Sequence, residues 1–131
     1  MLELVDLRSG VVRWQQPMFL WNTNPPVVVE AHVVTVEGTA PGMPLSEVRW
    51  RRLADGEVEG TNALDGFASA AVAGTHGSAL VATDSHVAAV GADVAWQVPI
   101  PAFSSRDPVA LPDGGVALQL VDLRHMCAAT N

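Results

Sequence analysis

The chain has 131 residues, 49% apolar and 16% charged, with a net charge of −7. This composition excludes a disordered polypeptide and supports one packed core of ordinary domain size. The acidic balance disfavours nucleic-acid binding, which needs clustered cations to meet phosphates.

Every cation is an arginine, Lys and Tyr are absent, and Ile100 is the only isoleucine, a pattern of GC-rich coding rather than a functional device. So few charges leave apolar surface uncovered, which argues for burial against other chains.

In chain order, "MLELVDLRSG" has acidic residues where a secretory leader is basic, and no apolar run approaches the roughly 20 residues of a membrane span. Cytoplasmic synthesis without a signal peptide, and no membrane partner, are expected. The pentapeptide Leu4–Arg8 recurs at Leu120–Arg124. Antiparallel pairing with Leu7 opposite Leu123 sets Asp6 against Arg124 and Arg8 against Asp122, whereas parallel pairing sets like charges together. Such pairing would join the chain ends or two chains; coincidence in a Leu/Val-rich sequence is the larger alternative.

"WQQPMFLWNTNPP" (residues 14–26) concentrates aromatic surface between proline breaks. Proline cannot donate to a strand ladder, so the segment reads as an edge, a loop or an arm that plugs its own core or lies on a neighbour. Trp14, Met18, Phe19 and Trp21 are the candidate partner contacts it carries.

The β-branched run at residues 27–38 predicts a long strand, with His32 inside it holding a hydrogen bond. "SEVRWRRL" alternates as a second strand, with Arg49 and Arg51 on one face and Trp50 and Arg52 on the other. Arg49 and Arg51 join the candidate partner contacts. "VVTVEG" followed by "PLSEVRWRRLADG" resembles the B and C strands of an immunoglobulin-like module. The resemblance implies a sandwich with Trp50 in its core, and with a single cysteine no disulfide accompanies it.

Asp55-Gly56, Asp65-Gly66 and Asp113-Gly114 are tight-turn dipeptides. Residues 62–73 are the best helical window, but Gly66 interrupts it and its Ala/Ser/Val content fits a strand equally well. "GSALVATD" alternates and "TDSH" supplies a turn. From Val90 to Ile100, alternate residues are apolar and predict one strand face bearing Val94, Trp96 and Val98. Burial is expected for Val33, Trp50, Val94, Trp96 and Val98. "GGVALQLVDLRHM" completes the alternating runs.

Reactive constellations are thin. His76, Ser78, Asp84, Ser85 and His86 cluster in sequence, but no nucleophile elbow is present and strand neighbours such as Ser85 and His86 should face apart. His125 and Cys127 share a strand spacing but lack a second ligand pair, and one cysteine forms no intrachain disulfide. No catalytic, metal or cofactor site is expected.

The expected fold is all-β, an antiparallel sandwich or barrel of roughly eight to ten short strands with an aromatic, proline-rich N-terminal arm or edge segment. Residues 1–131 form a single domain, with 1–26 as strand and arm and 27–131 as core. The expected function is a non-enzymatic structural or assembly protein. It would be a homo-oligomeric component of a larger particle such as a phage-type virion (capsid decoration, head–tail or tail component), whose partners are itself or other structural proteins. The alternative is a small cytosolic β-barrel that binds a small ligand or is catalytic through His76, Asp84 and His86.

Overall fold

A computed structural model describes residues 1–18, 25–38, 45–66, 68–91, 94–100, 103–104, 108–113, 115–117 and 119–121. Among these every regular element is a strand, so none is a helix long and apolar enough to cross a membrane.

The N-terminus is a hairpin of β1 (Leu2–Val5) and β2 (Val12–Gln16). Its turn is held by Asp6, whose carboxylate accepts the backbone N–H of Arg8 (2.9 Å) and Ser9 (3.1 Å), while Gly10 takes a left-handed φ of 71°. Next comes a four-stranded antiparallel sheet in the order β3 (Val27–Val29), β4 (His32–Gly38), β5 (Leu45–Arg52) and β6 (Val58–Asp65). A second runs β10 (Val94–Pro99), β9 (His86–Val90), β8 (Ala79–Thr83) and β7 (Ala68–Ala73). Two short ladders complete the described strands: β11 (Phe103–Ser104) pairs with β14 (Leu120–Val121), and β12 (Val109–Ala110) with β13 (Val116–Ala117). Strands outnumber the expectation because these last four have two residues each.

The two large sheets share one apolar cluster, giving an all-β, sandwich-like fold. From the first sheet come Val29, Val34, Val36, Val48, Trp50 and Leu64; from the second come Ala71, Ala79, Val81, Ala88 and Val90. Valine and Trp therefore face a mostly alanine wall, and β7 lies against β3 and β4. The far side of the second sheet is buried too, at Leu80, Ala82, Val87 and Ala89. The window at residues 62–73 divides between β6 and β7, broken at Gly66, whose φ of 87° no helix accommodates.

Two expectations about packing fail, both on β10. Trp96 is 37% exposed and Val98 is 48% exposed. Val94 pairs with Val90, but Trp96 pairs with Ala89, so a β-bulge intervenes. One extra residue moves everything beyond it to the opposite face. Trp96 and Val98 thus stand over Ala89 and Val87, on the side away from the first sheet, at the sheet's edge strand. Val33 and Trp50 are buried as expected; the side chain of Val94 lies outside the described residues.

The two pentapeptide copies have other partners. The first runs from β1 into its turn, with Leu4 opposite Trp14; in the second, Leu120 and Val121 pair with Ser104 and Phe103. Asp6 forms its ion pair with Arg13 at 3.1 Å. Asp122, Leu123 and Arg124 lie outside the described residues, as do Gly114, His125 and Cys127.

Candidate functional site

The face of the first sheet that points away from the core is built by alternation. Val33, Thr35 and Glu37 of β4 sit across from Arg51, Arg49 and Glu47 of β5. Directly across the ladder Glu37 faces Glu47, a like-charge pair, and the arginines reach the Glu37 carboxylate from neighbouring positions on the same face; all but Arg49 and Glu47 are buried. The Glu37 side chain, 1% exposed, takes Arg51 Nη2 at 3.1 Å and Arg49 Nη1 at 3.2 Å. The Thr35 hydroxyl donates to the same carboxylate at 3.1 Å, and Arg49 Nε reaches Glu47 at 3.1 Å.

Arg51 also ties in the N-terminal hairpin. It donates to the Pro17 carbonyl (3.3 Å) and to that of Gly56 in the β5–β6 turn (3.2 Å). Trp14 Nε1 donates to the Leu53 carbonyl at 2.9 Å, and Gln16 Nε2 to that of Asp55 at 3.1 Å. The Trp14 ring lies on Gly56, where a Cβ would come within 2.7 Å of it, and Gly56 has a φ of 77°. Glycine is required there on both counts.

These contacts place most of the proposed partner residues. Arg51 is 2% exposed, and its head group is bonded within this chain: a buried carboxylate and two carbonyls claim its donors. Arg49 is half-buried with its charge on Glu37 and Glu47. Trp14 and Met18 are half-buried, and Phe19 and Trp21 lie outside the described residues.

The hairpin tip is the opposite kind of surface. Leu7 is 99% exposed, and Val5, Val11 and Val12 around it are exposed as well. Leu4, Val5, Leu7 and the charged Asp6, Arg8 and Arg13 line a groove of about 410 Å³. Backbone and side-chain bonds within the turn, and the Asp6–Arg13 pair, hold this apolar tip in shape.

The histidine alternative is not assembled. His76 sits in the β7–β8 turn and Asp84 and His86 at the β8–β9 turn, at opposite ends of a five-residue strand. Such a strand is roughly 17 Å long. Ser85 is nevertheless 2.8 Å from His86 Nδ1, because Ser85 lies in the turn, where strand alternation does not operate. Among the described residues no group of His, Cys, Asp and Glu could hold a metal ion.

A second concavity lies where the β3–β4 turn, the start of β6 and the β7–β8 turn meet. Glu30, His32, Trp50, Glu59, Gly60 and Gly77 line a cleft of about 310 Å³. His32 Nε2 is 2.7 Å from Glu59 Oε2, and its ring meets Trp50 edge-on at 5.9 Å. His32 thus makes a hydrogen bond, but an exposed one at the start of β4 rather than a buried one inside a strand. Arg52 approaches the other Glu59 oxygen at 3.8 Å. Trp50 Nε1 is held by Asn62 at 2.9 Å. Glu30 and His76, on the turns that bracket the cleft, both have left-handed φ values near 50° (52° and 54°). Sequence reading missed Glu30 and Glu59, because only the register of two successive hairpins brings Glu59 beside His32. Glu37 was missed as well, although a signal was present: an acid in one strand and two arginines in the next share a period of two.

No family model matches the chain, and no curated protein matches it significantly.

Proposed function

We propose that this protein is a non-enzymatic assembly module, whose N-terminal hairpin tip is its contact with a second protein surface. The observation that carries the reading is the full exposure of Leu7 amid Val5, Val11 and Val12, on a turn braced by Asp6 and Arg13. Exposing such a cluster on an ordered turn is unfavourable in water and favourable against a complementary surface. Trp96 and Val98 at the edge of the second sheet add a further apolar strip. The net charge of −7 favours a protein partner over nucleic acid. We propose further that the partners are copies of the chain or other structural proteins within a phage-type particle, on the grounds of small size and sparsely charged surface.

Light scattering on the purified chain tests this. An oligomer that Leu7→Ser and Val12→Ser dissociate, without loss of thermal stability, is expected. A wild-type monomer that also fails to bind purified particles overturns the reading.

A further inference from the structure

The cleft at the end of the sandwich has the chemistry of a binding site for an organic cation, and this does not depend on the hairpin tip being an interface. Three features converge. The first is an indole wall: Trp50 lines the cleft and is held in orientation by Asn62 and by the edge of His32. The second is a pair of carboxylates. Glu59 is already engaged by His32 and approached by Arg52, but among the described residues nothing bonds the Glu30 carboxylate. The third is backbone that gives way: a Cβ on Gly77 would come within 2.9 Å of Glu30 Oε1, so the glycine leaves room for that carboxylate over the β7–β8 turn. The volume of about 310 Å³ matches the lower end of small-ligand sites.

We infer that the cleft formed by Glu30, His32, Trp50, Glu59 and Gly77 binds an alkylguanidinium or alkylammonium group. Glu30 accepts its N–H donors in charge-assisted hydrogen bonds, Glu59 adds a second negative charge, and the Trp50 ring borders the cation and its alkyl stem. An anion meets two carboxylates here and is excluded. A neutral isostere leaves Glu30 without the charge that makes its bond strong. The cation is either a free small molecule or the side chain of an arginine or lysine on a peptide; the two sources present the same chemistry.

The test is a titration of the full chain, followed by the NMR signals of the Trp50 indole N–H and the His32 ring. The probes are butylguanidinium, with butylurea as its neutral isostere, and acetyl-Gly-Arg-Gly-amide, with the citrulline peptide as its neutral counterpart. Saturable shifts with butylguanidinium support a free ligand, and saturable shifts with the arginine peptide alone support a protein side chain. In either case Glu30→Gln should weaken binding about tenfold or more, as expected for one lost charge-assisted bond. Glu30→Gln alters an exposed turn side chain and should keep the wild-type amide spectrum. Gly77→Ala, which crowds the Glu30 carboxylate, should also abolish saturation. No saturation by either cation, equal binding of the neutral isosteres, or undiminished binding by a folded Glu30→Gln chain overturns the assignment.

Discussion

Glu37 is the residue on which the outer face of the first sheet depends. Its carboxylate compensates two guanidinium groups, one of them almost wholly removed from water. A buried ion pair adds little net stability over apolar packing, but removing one member strands a charge, at about 3–5 kcal/mol. Glu37→Ala is therefore expected to lower unfolding stability by that amount in urea melts, and Arg51→Ala comparably. Arg51→Ala should act on stability, because its head group is bonded to Glu37, Gly56 and Pro17. Buried Arg51 Nε has no hydrogen-bond partner among the described residues, which makes the site less than fully compensated already.

Two aspartates act at the same scale from the surface. The backbone N–H groups of Ser9 and Arg8, then Arg13, hold the Asp6 carboxyl below the ordinary value of 3.8. The Glu57 N–H and then Arg52 do the same to Asp55, whose contact in turn raises the Arg52 guanidinium. A carboxylate with a lowered folded pKa stabilises the fold fully above the unfolded value, and that contribution is lost as pH falls through the folded one. Stability should thus decline as pH drops below about 3.8, and Asp6→Asn should flatten that acid limb in pH-dependent thermal melts.

Among elements, the N-terminal hairpin has the most separable role. It has its own ladder and meets the first sheet at the β5–β6 turn through Trp14, Gln16 and Arg51. Gly56→Ala places a methyl against the Trp14 ring and strains a left-handed residue. The expected cost is roughly 1–3 kcal/mol, with faster hydrogen exchange at the Trp14 indole N–H while the core amides stay protected. Unchanged exchange at Trp14 would show that the ring does not hold the hairpin down.

Elements also show what could be read in advance. Alternation located β5 and β8, and Asp-Gly marked the β5–β6 turn, since these depend on neighbours in sequence; the β-branched run at residues 27–38 was read as one strand, whereas a turn at Glu30 and Ala31 folds it into β3 and β4. The bulge in β10 escaped because nothing in "VAWQVP" distinguishes a shifted register from a straight one. The docking of Trp14 escaped for another reason. Its partner, Leu53, is 39 positions away and contributes only a main-chain oxygen, so its side chain gives no signal. The cleft was half legible: His32 stands out as a polar residue in an apolar run, whereas nothing in the sequence sets Glu30 and Glu59 apart.

For the whole molecule, the sandwich supplies order and the exposed tip is the surface proposed for adhesion. The core does not involve Leu7, so Leu7→Ser should alter thermal stability by no more than about 0.5 kcal/mol while changing mass in light scattering. The alanine wall of the second sheet lies buried in the cluster shared by the two sheets. Ala88→Leu or Ala79→Leu should overpack it, at about 1–3 kcal/mol in denaturant melts, since both positions are buried within the shared cluster.

Beside one contact of Gln16 with the Glu57 carboxylate, the bonds that seat the N-terminal hairpin end on carbonyl oxygens, those of Leu53, Asp55 and Pro17. Every amino acid carries that oxygen, so evolution can rewrite the accepting residues without touching the joint, whereas a donor side chain cannot drift freely. In a randomised library screened for folding, position 53 should tolerate wide replacement, and positions 14, 16 and 51 should return almost unchanged. Divergent descendants of this chain would then keep their joint while the letters on one side of it become unrecognisable.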